Sequence, residues 1–253
     1  PDDPAPWREA LRILAPAAAV SVAAPTLAIS LGGPGSERTV ATVMALVHAA
    51  IAFAATASVL DGSSHVEGRA RLAWRAVGGG VLVYALAHLA WTVAAMLGAG
   101  SGSPAWLPAF TVANLLLIGG AIALPSSGRR VDRTRRLDVA IMTTAAVCLL
   151  WVLPISRLWE RSSAEGRHTA AFVTLAVVKV ATVLVAMAVL ARCRPDAHHE
   201  TRPFAFALIV FGVADLVFAS VEATAYPMGS RVADTLYNTT ALLWLLVGRR
   251  LTR

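Results

Sequence analysis

Five polar side chains interrupt long apolar stretches of this sequence, and their types could support ion pairing, ligand binding or proton transfer. They are His48, His88, Asn114, Lys179 and Asp215. Counted at about 1.5 Å per residue, each lies near the middle of its own apolar run. If these runs are helices that cross one layer, the five groups share roughly one depth. Ionisable groups inside such helices usually face the bundle interior and often mark a functional site.

Lys179 and Asp215 are expected to meet near the middle of that layer. At 1.5 Å per residue, Lys179 lies about 16 Å from the start of its run and Asp215 about 18 Å from the start of the next, antiparallel run. A neutralised pair avoids a lone charge in hydrocarbon. The pair could hold helix register, act as a ligand-sensing or proton-coupled site, or involve a covalent lysine adduct. Lys179 is the single lysine, but no aromatic-rich signature surrounds it in the sequence.

His48 and His88 lie on consecutive runs at similar depth, which leaves two interpretations. Two such histidines could ligate a haem b from opposite faces. Many buried histidines instead hydrogen-bond across a helical bundle, and we favour that interpretation. A second histidine on the same helix would strengthen the haem hypothesis, and neither run contains one.

A second polar cluster is predicted at the junction of the last two runs. Glu222 shares a helix face with Asp215, seven residues before it, and lies one turn from Tyr226. Beyond a tight turn, the last run begins with Arg231, Asp234, Tyr237 and Asn238. These groups could form a small pocket that opens outward, or Arg231 could form an ordinary ion pair with Glu222 or Asp234 at the helix ends. The predicted ligand-binding or coupling residues are therefore Lys179, Asp215, Glu222, Tyr226, Arg231, Asp234 and Asn114.

The elements that must position these groups are eight apolar runs, most of them long enough to cross a bilayer as helices. Hydrophobic residues make up 57% of the chain and charged residues 15%, whereas soluble domains are usually about a quarter charged. The sequence thus predicts an all-α, polytopic membrane bundle that occupies residues 1–253 as a single domain. The predicted helices are about 7–32, 38–60, 72–98, 105–124, 137–157, 168–192, 203–226 and 230–249.

Arginine falls almost entirely in alternate connections, which predicts the orientation of the bundle. Sixteen of the 22 basic residues lie near the N-terminus, in the second, fourth and sixth connections, or near the C-terminus. By the positive-inside rule, both termini are cytoplasmic. The net charge of +7 therefore reflects topology, and no nucleic-acid partner is expected. The abundance of Ala and Arg suggests a high-GC bacterial source. In a bacterium, we expect a bundle of this kind to be a multi-pass protein of the plasma membrane.

Motifs of catalysis and metal binding do not occur in the sequence. It contains no Walker loop, no GxGxxG, no HExxH and no GxSxG. The two cysteines, Cys148 and Cys193, show neither a disulfide framework nor the spacing of a metal site. We therefore favour a protein that is not an enzyme, and we predict no metal site.

The second half of the chain resembles a known family. Residues 136–152 read RLDVAIMTTAAVCLLWV, and residues 212–237 read GVADLVFASVEATAYPMGSRVADTLY. This pattern is similar to the multi-helix membrane sensor module of actinobacterial diguanylate cyclase and phosphodiesterase (GGDEF/EAL) proteins. The resemblance covers roughly 136–250, and the 253 residues contain no GGDEF or EAL catalytic domain. The matching positions are Asp138, Trp151, Asp215, Tyr226, Pro227, Gly229 and Asp234.

This resemblance implies a sensory or signal-transmitting module with a polar site inside the membrane. Its partners would be the bilayer, a cytoplasmic signalling domain or protein reached through the C-terminus, and a homo-oligomer or larger membrane complex. Three alternatives stay open. The chain could be a transporter for a small solute or protons, although no inverted repeat is evident. It could also bind haem or another cofactor, or serve as an accessory subunit.

Overall fold

A computed structural model describes residues 36–97, 107–124, 144, 169–192, 201–224 and 227–252. The described residues form six helices, and the prediction of an all-α protein is confirmed for them. The helices are α1 (Ser36–Ser64), α2 (Gly68–Met96), α3 (Leu107–Ala123), α4 (Thr169–Arg192), α5 (Thr201–Thr224) and α6 (Pro227–Leu251).

These helices lie over six of the eight predicted runs, whereas the runs 7–32 and 137–157 fall outside the described residues apart from Thr144. Two described stretches, Thr42–Ser64 and Gly68–Ala94, are long and apolar enough to cross a bilayer. Length and composition alone also admit buried helices of a soluble protein. The helix inventory therefore supports a membrane protein only weakly, and it shows neither eight spans nor the side on which the termini lie.

The six helices pack as a closed ring in chain order. Each helix packs chiefly against its neighbours in sequence, and α6 returns to pack against α1. The α1–α6 contact is parallel, since His48 lies opposite Asn238 and Ser58 opposite Leu245. The α4–α5 contact is antiparallel, since Lys179 lies opposite Asp215 and Val183 opposite Gly212. Side chains from all six helices therefore converge on the middle of one ring.

Aromatic side chains fill the interior of this ring. Trp74 of α2 and Phe204 of α5 meet edge to face, with ring centroids 5.2 Å apart, and both are almost fully buried. Further along the same helices, the rings of Tyr84 and Phe211 are 5.0 Å apart. Since residue numbers rise together in these two contacts, α2 and α5 run in the same direction across the ring.

Apolar side chains occupy the interior of the ring and much of its outer surface as well. Large apolar side chains face outward, including Leu115 at 53% exposure and Val177 at 61%. Polar side chains such as His48, Asn114 and Asn238 are buried. A soluble helix normally presents its apolar stripe to the core and its polar face to water. The outer surface of this ring is suited to an apolar solvent.

Glycines set the closest helix contacts. A Cβ atom built at Gly80 would lie 2.9 Å from the backbone oxygen of Ala113 on α3, and one at Gly62 would lie 2.6 Å from the backbone oxygen of Gly248 on α6. A Cβ atom at Gly79 would meet nothing within 4 Å. The glycine run in α2 thus includes positions that admit a neighbouring backbone, as small residues do between membrane helices.

Candidate functional site

An ion pair between α4 and α5 occupies the interior. The Nζ atom of Lys179 pairs with Oδ2 of Asp215, and the two side chains are only 12% and 16% exposed. The same Nζ atom lies 4.3 Å from the centroid of the Phe211 ring, one turn before Asp215. Antiparallel packing of two apolar helices brings the two charges to the same level. The pair is stabilised by its mutual charge and by the aromatic face beneath the ammonium group.

Asp215 also binds the last helix. The hydroxyl of Tyr237 donates a hydrogen bond of 2.6 Å to Oδ1 of Asp215. Each carboxylate oxygen therefore has its own donor, one from α4 and one from α6. Hydrogen bonds to an ionised acceptor are stronger than neutral ones. Asp215 is thus the residue through which α4, α5 and α6 are joined.

His48 forms a second polar link, between α1, α2 and α6. Its Nδ1 lies 3.1 Å from Oδ1 of Asn238, and its Nε2 lies 3.2 Å from the hydroxyl of Tyr84. An amide oxygen only accepts, so with this amide orientation Nδ1 carries the hydrogen. Nε2 then accepts from the Tyr84 hydroxyl. This pattern satisfies a neutral histidine completely within the protein.

Tyr84 lies at the centre of an aromatic cluster that connects the two polar links. Its ring contacts residues from α3, α5 and α6 at centroid distances between 5.0 and 6.3 Å. One member of the cluster, Phe211, lies against the ammonium group of Lys179. The rings of this cluster come from other helices, so they leave no aromatic-rich signature around Lys179 in the sequence. The ring partners of Tyr84 on these three helices are Phe110, Phe211, Tyr237 and Trp244, and the imidazoles of His48 and His88 also lie beside it.

His88 lies in direct contact with His48, and the two rings do not face each other across a gap that could hold a cofactor. The two imidazole centroids are 4.5 Å apart, and the rings meet edge to face. Both ring nitrogens of His48 are already hydrogen-bonded, and no porphyrin plane fits between rings in direct contact. The arrangement does not fit a haem held by these two residues. The Nε2 atom of His88 is buried and has no hydrogen-bond partner among the described residues.

Asn114 links α3 to α4 close to the ion pair. Its Oδ1 accepts a hydrogen bond of 3.1 Å from Thr182, and its Nδ2 donates to the backbone oxygen of Phe110 at 2.7 Å. Thr182 lies three residues from Lys179 on the same helix. The bond accounts for the burial of Asn114 and helps to position α4, while its predicted role in ligand binding stays a prediction.

The predicted outer pocket lies largely outside the described residues. This applies to Tyr226 and to the side chains of Glu222 and Arg231. Asp234 is described and lies partly buried on α6, one turn before Asn238. Within the part of the chain that the structure describes, no three His, Cys, Asp or Glu side chains come together to hold a metal ion.

Several contacts of the site were not anticipated from the sequence. The sequence predicts Asn238 as part of the outer polar cluster and not as a partner of His48, although it lies about 12 Å from the start of its predicted run and His48 about 15 Å from the start of its own, at 1.5 Å per residue. Equal depth on two runs of the same direction is the signal that could have paired them. Tyr84 and Trp244 offered no such signal, because aromatic residues are common on buried helix faces.

The arrangement can hold a compensated charge in an apolar interior and can move a proton between neighbouring polar groups. It joins five helices through two hydrogen-bonded links. Comparisons of the chain with protein-family models, curated protein sequences and solved structures found no match.

Proposed function

We propose that this chain is a multi-pass protein of a bacterial plasma membrane, with eight membrane-spanning helices and cytoplasmic termini. The main support is the apolar outer surface of the ring, together with the hydrogen bonding of its few buried polar groups. Apolar side chains such as Phe206 and Val213 face outward, whereas Asn114 and Thr182 are buried and hydrogen-bonded. A bilayer accepts the first group and requires the second to find partners inside the protein.

The directions of the described helices support one further span between α3 and α4. Gly80 approaches Ala113 and Gly120 approaches Ala73, so α3 is antiparallel to α2. Because α2 and α5 run in the same direction and α4 is antiparallel to α5, α3 and α4 also share a direction. A chain that joins two such helices must cross the layer once more. The predicted run 137–157 has the length for that crossing.

Arginine distribution supports the proposed orientation. The start of α2 carries Arg69 and Arg75, the start of α5 carries Arg202, and the end of α6 carries Arg249. The helix directions put all four at one end of the ring. An excess of arginine on one side marks the cytoplasmic face of a membrane protein.

We expect thiol labelling to separate the two ends of the ring. In a background of Cys148→Ser and Cys193→Ser, Leu97→Cys should react with a membrane-impermeant maleimide in intact cells. Arg249→Cys should react only after the cells are permeabilised, because it would lie on the cytoplasmic side. Labelling of both positions in intact cells would contradict the proposed topology. Labelling of Arg249→Cys alone in intact cells would show that the orientation is the reverse of the proposed one.

Within this topology, a sensory or signal-transmitting function without catalysis has the best support. The main observation in its support is that Asp215 binds two helices at once, through Lys179 of α4 and Tyr237 of α6. From Tyr237, α6 continues for about 21 Å to Leu251 at the arginine-rich end, at 1.5 Å per residue. A change at the ion pair would therefore move a helix that reaches the cytoplasmic side.

The cytoplasmic end of α6 offers a route to a partner. Resemblance of residues 136–250 to the membrane module of GGDEF/EAL proteins suggests a signalling domain or protein there. A stimulus must bind one state of the module better than the other to shift its population. Asp215 and Lys179 are the groups at which we propose that this difference arises.

Pulsed electron paramagnetic resonance can test the coupling. Spin labels at Ile122→Cys on α3 and Arg249→Cys on α6 would report the distance across the cytoplasmic end of the ring in nanodiscs. We expect Asp215→Asn to shift this distance by on the order of 1–5 Å, the range of helix shifts in switching proteins. The exposed Asp61→Asn provides the matched control. Identical distances in wild type and Asp215→Asn would overturn the proposal.

Transport of protons or a small solute is the second candidate, because the buried polar groups extend from Lys179 to His48 through the ring interior. Flux in proteoliposomes that is lost in Asp215→Asn would favour transport over signalling. An unaltered label distance together with such a flux would select the transporter.

A further inference from the structure

Two exposed arginines lie at the same level on the neighbouring helices α5 and α6. The contacts of Asp215 with Tyr237 and of Phe211 with Trp244 show that these helices are antiparallel. From Asp215 back to Arg202 is about 20 Å of helix, and from Tyr237 forward to Arg249 is about 18 Å, at 1.5 Å per residue. The axes of packed helices are about 8–10 Å apart. The two guanidinium groups can therefore reach one shared partner at this end of the ring.

Neither guanidinium group is neutralised by the protein around it. Within the described part of the chain, no carboxylate forms an ion pair with Arg202 or Arg249, and both side chains are exposed. The described carboxylates at this end, Asp61 and Glu67, belong to α1 and to the turn that follows it. Helix α1 packs on one flank of α6 and α5 on the other. The surface formed by α5 and α6 therefore presents unpaired positive charge to an anion.

An apolar strip continues along α5 from these arginines. Phe206, one turn after Arg202, is 53% exposed, and Val213 is 42% exposed. Residues four and seven apart share a face of a helix, so the charged and apolar side chains follow one another on the same side of α5. A soluble anion such as phosphate has no apolar part to cover this strip. A phospholipid has both parts, because its acyl chains lie directly below the phosphate of its headgroup.

We infer that Arg202 and Arg249 bind the headgroup phosphate of an anionic phospholipid from the cytoplasmic leaflet, with an acyl chain along Phe206 and Val213. This inference rests on the proposed membrane topology and adds a partner to it. A guanidinium group binds phosphate through two parallel N–H···O hydrogen bonds. Since Arg249 belongs to α6, the bound lipid ties the end of that helix to α5 at the cytoplasmic surface.

Native mass spectrometry of the full chain in detergent, with phosphatidylglycerol or phosphatidylcholine added, tests this site. We expect phosphatidylglycerol to bind more tightly, because the choline cation of the other lipid offsets its phosphate. Arg202→Gln and Arg249→Gln should each weaken phosphatidylglycerol binding about fivefold, and the double variant about 25-fold, the usual contribution of arginines near an anionic surface. Phe206→Ala should also weaken it. Inorganic phosphate at the same concentration should not displace the lipid.

The double variant Arg69→Gln with Arg75→Gln is the matched control for the two arginines. Both residues are exposed on α2, across the ring from α5, and the change in charge is the same. This variant should bind phosphatidylglycerol as wild type does. An equal loss in it would show that binding follows the total surface charge and would overturn the assigned site. Equal affinity for the two lipids, or displacement of the lipid by inorganic phosphate, would overturn it as well.

Failure of this inference can be distinguished from failure of the topology on which it rests. Thiol labelling in cells reports the topology without reference to any particular lipid. If labelling supports cytoplasmic termini and phosphatidylglycerol shows no preference, the topology stands and the lipid site is overturned. If labelling places Arg249→Cys on the outer side, the topology fails, and the cytoplasmic leaflet as the source of the lipid is overturned with it.

Discussion

Asp215→Asn is expected to lower the free energy of unfolding by roughly 3–5 kcal/mol, the usual cost of removing one partner from a buried ion pair. The substitution keeps the shape of the side chain and an acceptor for Tyr237. It leaves the ammonium group of Lys179 in an interior where that side chain is only 12% exposed. Unfolding in mixed micelles, followed by far-ultraviolet circular dichroism, measures the effect.

A double-mutant cycle gives the control for this loss. Lys179→Met should also destabilise, because it leaves the Asp215 carboxylate unpaired. The double variant Lys179→Met with Asp215→Asn should lose much less free energy of unfolding than the two single variants lose together, since neither charge is then left unpaired. Asp61→Asn removes an exposed carboxylate and should change the free energy by less than about 0.5 kcal/mol. Strictly additive losses at the pair would show that the two charges do not interact.

Gly248→Ala is expected to destabilise the bundle by roughly 1–3 kcal/mol, the typical cost of overpacking. An added Cβ atom at this position would overlap the backbone and hydroxyl of Ser58 on α1. The backbone cannot move aside as a flexible side chain can, so α1 and α6 would have to separate. The hydrogen bond from Ser58 to the backbone oxygen of Leu245, 3.2 Å long, would be strained at the same time.

Gly79→Ala is the matched control, since it makes the same chemical change inside α2 without a contact. A Cβ atom there meets nothing within 4 Å. Alanine favours a helix over glycine by about 1 kcal/mol, so this variant should be neutral or more stable than wild type. A loss of stability in Gly248→Ala without a loss in Gly79→Ala would establish close packing at Gly248 as the cause. Equal effects would contradict the tight α1–α6 contact.

The level of the polar residues could be predicted from the sequence because helix rise is nearly constant. Counting residues along apolar runs puts Lys179 and Asp215 at matching depth on consecutive helices, and they pair in the structure. The same counting also puts His48 and His88 at similar depth on consecutive helices. It contains no information about which face of each helix points inward, so the edge-to-face contact of the two imidazoles could not be foreseen.

The contact between α6 and α1, which closes the ring, could not be predicted from the sequence either. Apolar residues surround most of these helices, so hydrophobic periodicity does not choose neighbours. The pairing of α6 with α1 depends on close approach at Gly248 and Gly62. That pairing brings Asn238 to His48, two residues separated by 190 positions. Non-local contacts of this kind are decided by packing geometry.

The sequence by itself determined the helical class, the level of each buried polar group and the alternation of arginine-rich connections, because these depend on composition and on a fixed rise per residue. Only the tertiary structure decided that Tyr237 shares Asp215 with Lys179 and that Tyr84 joins the aromatic cluster to His48. Those contacts depend on the rotation of each helix about its axis. That rotation is set by how the side chains of all six helices pack together.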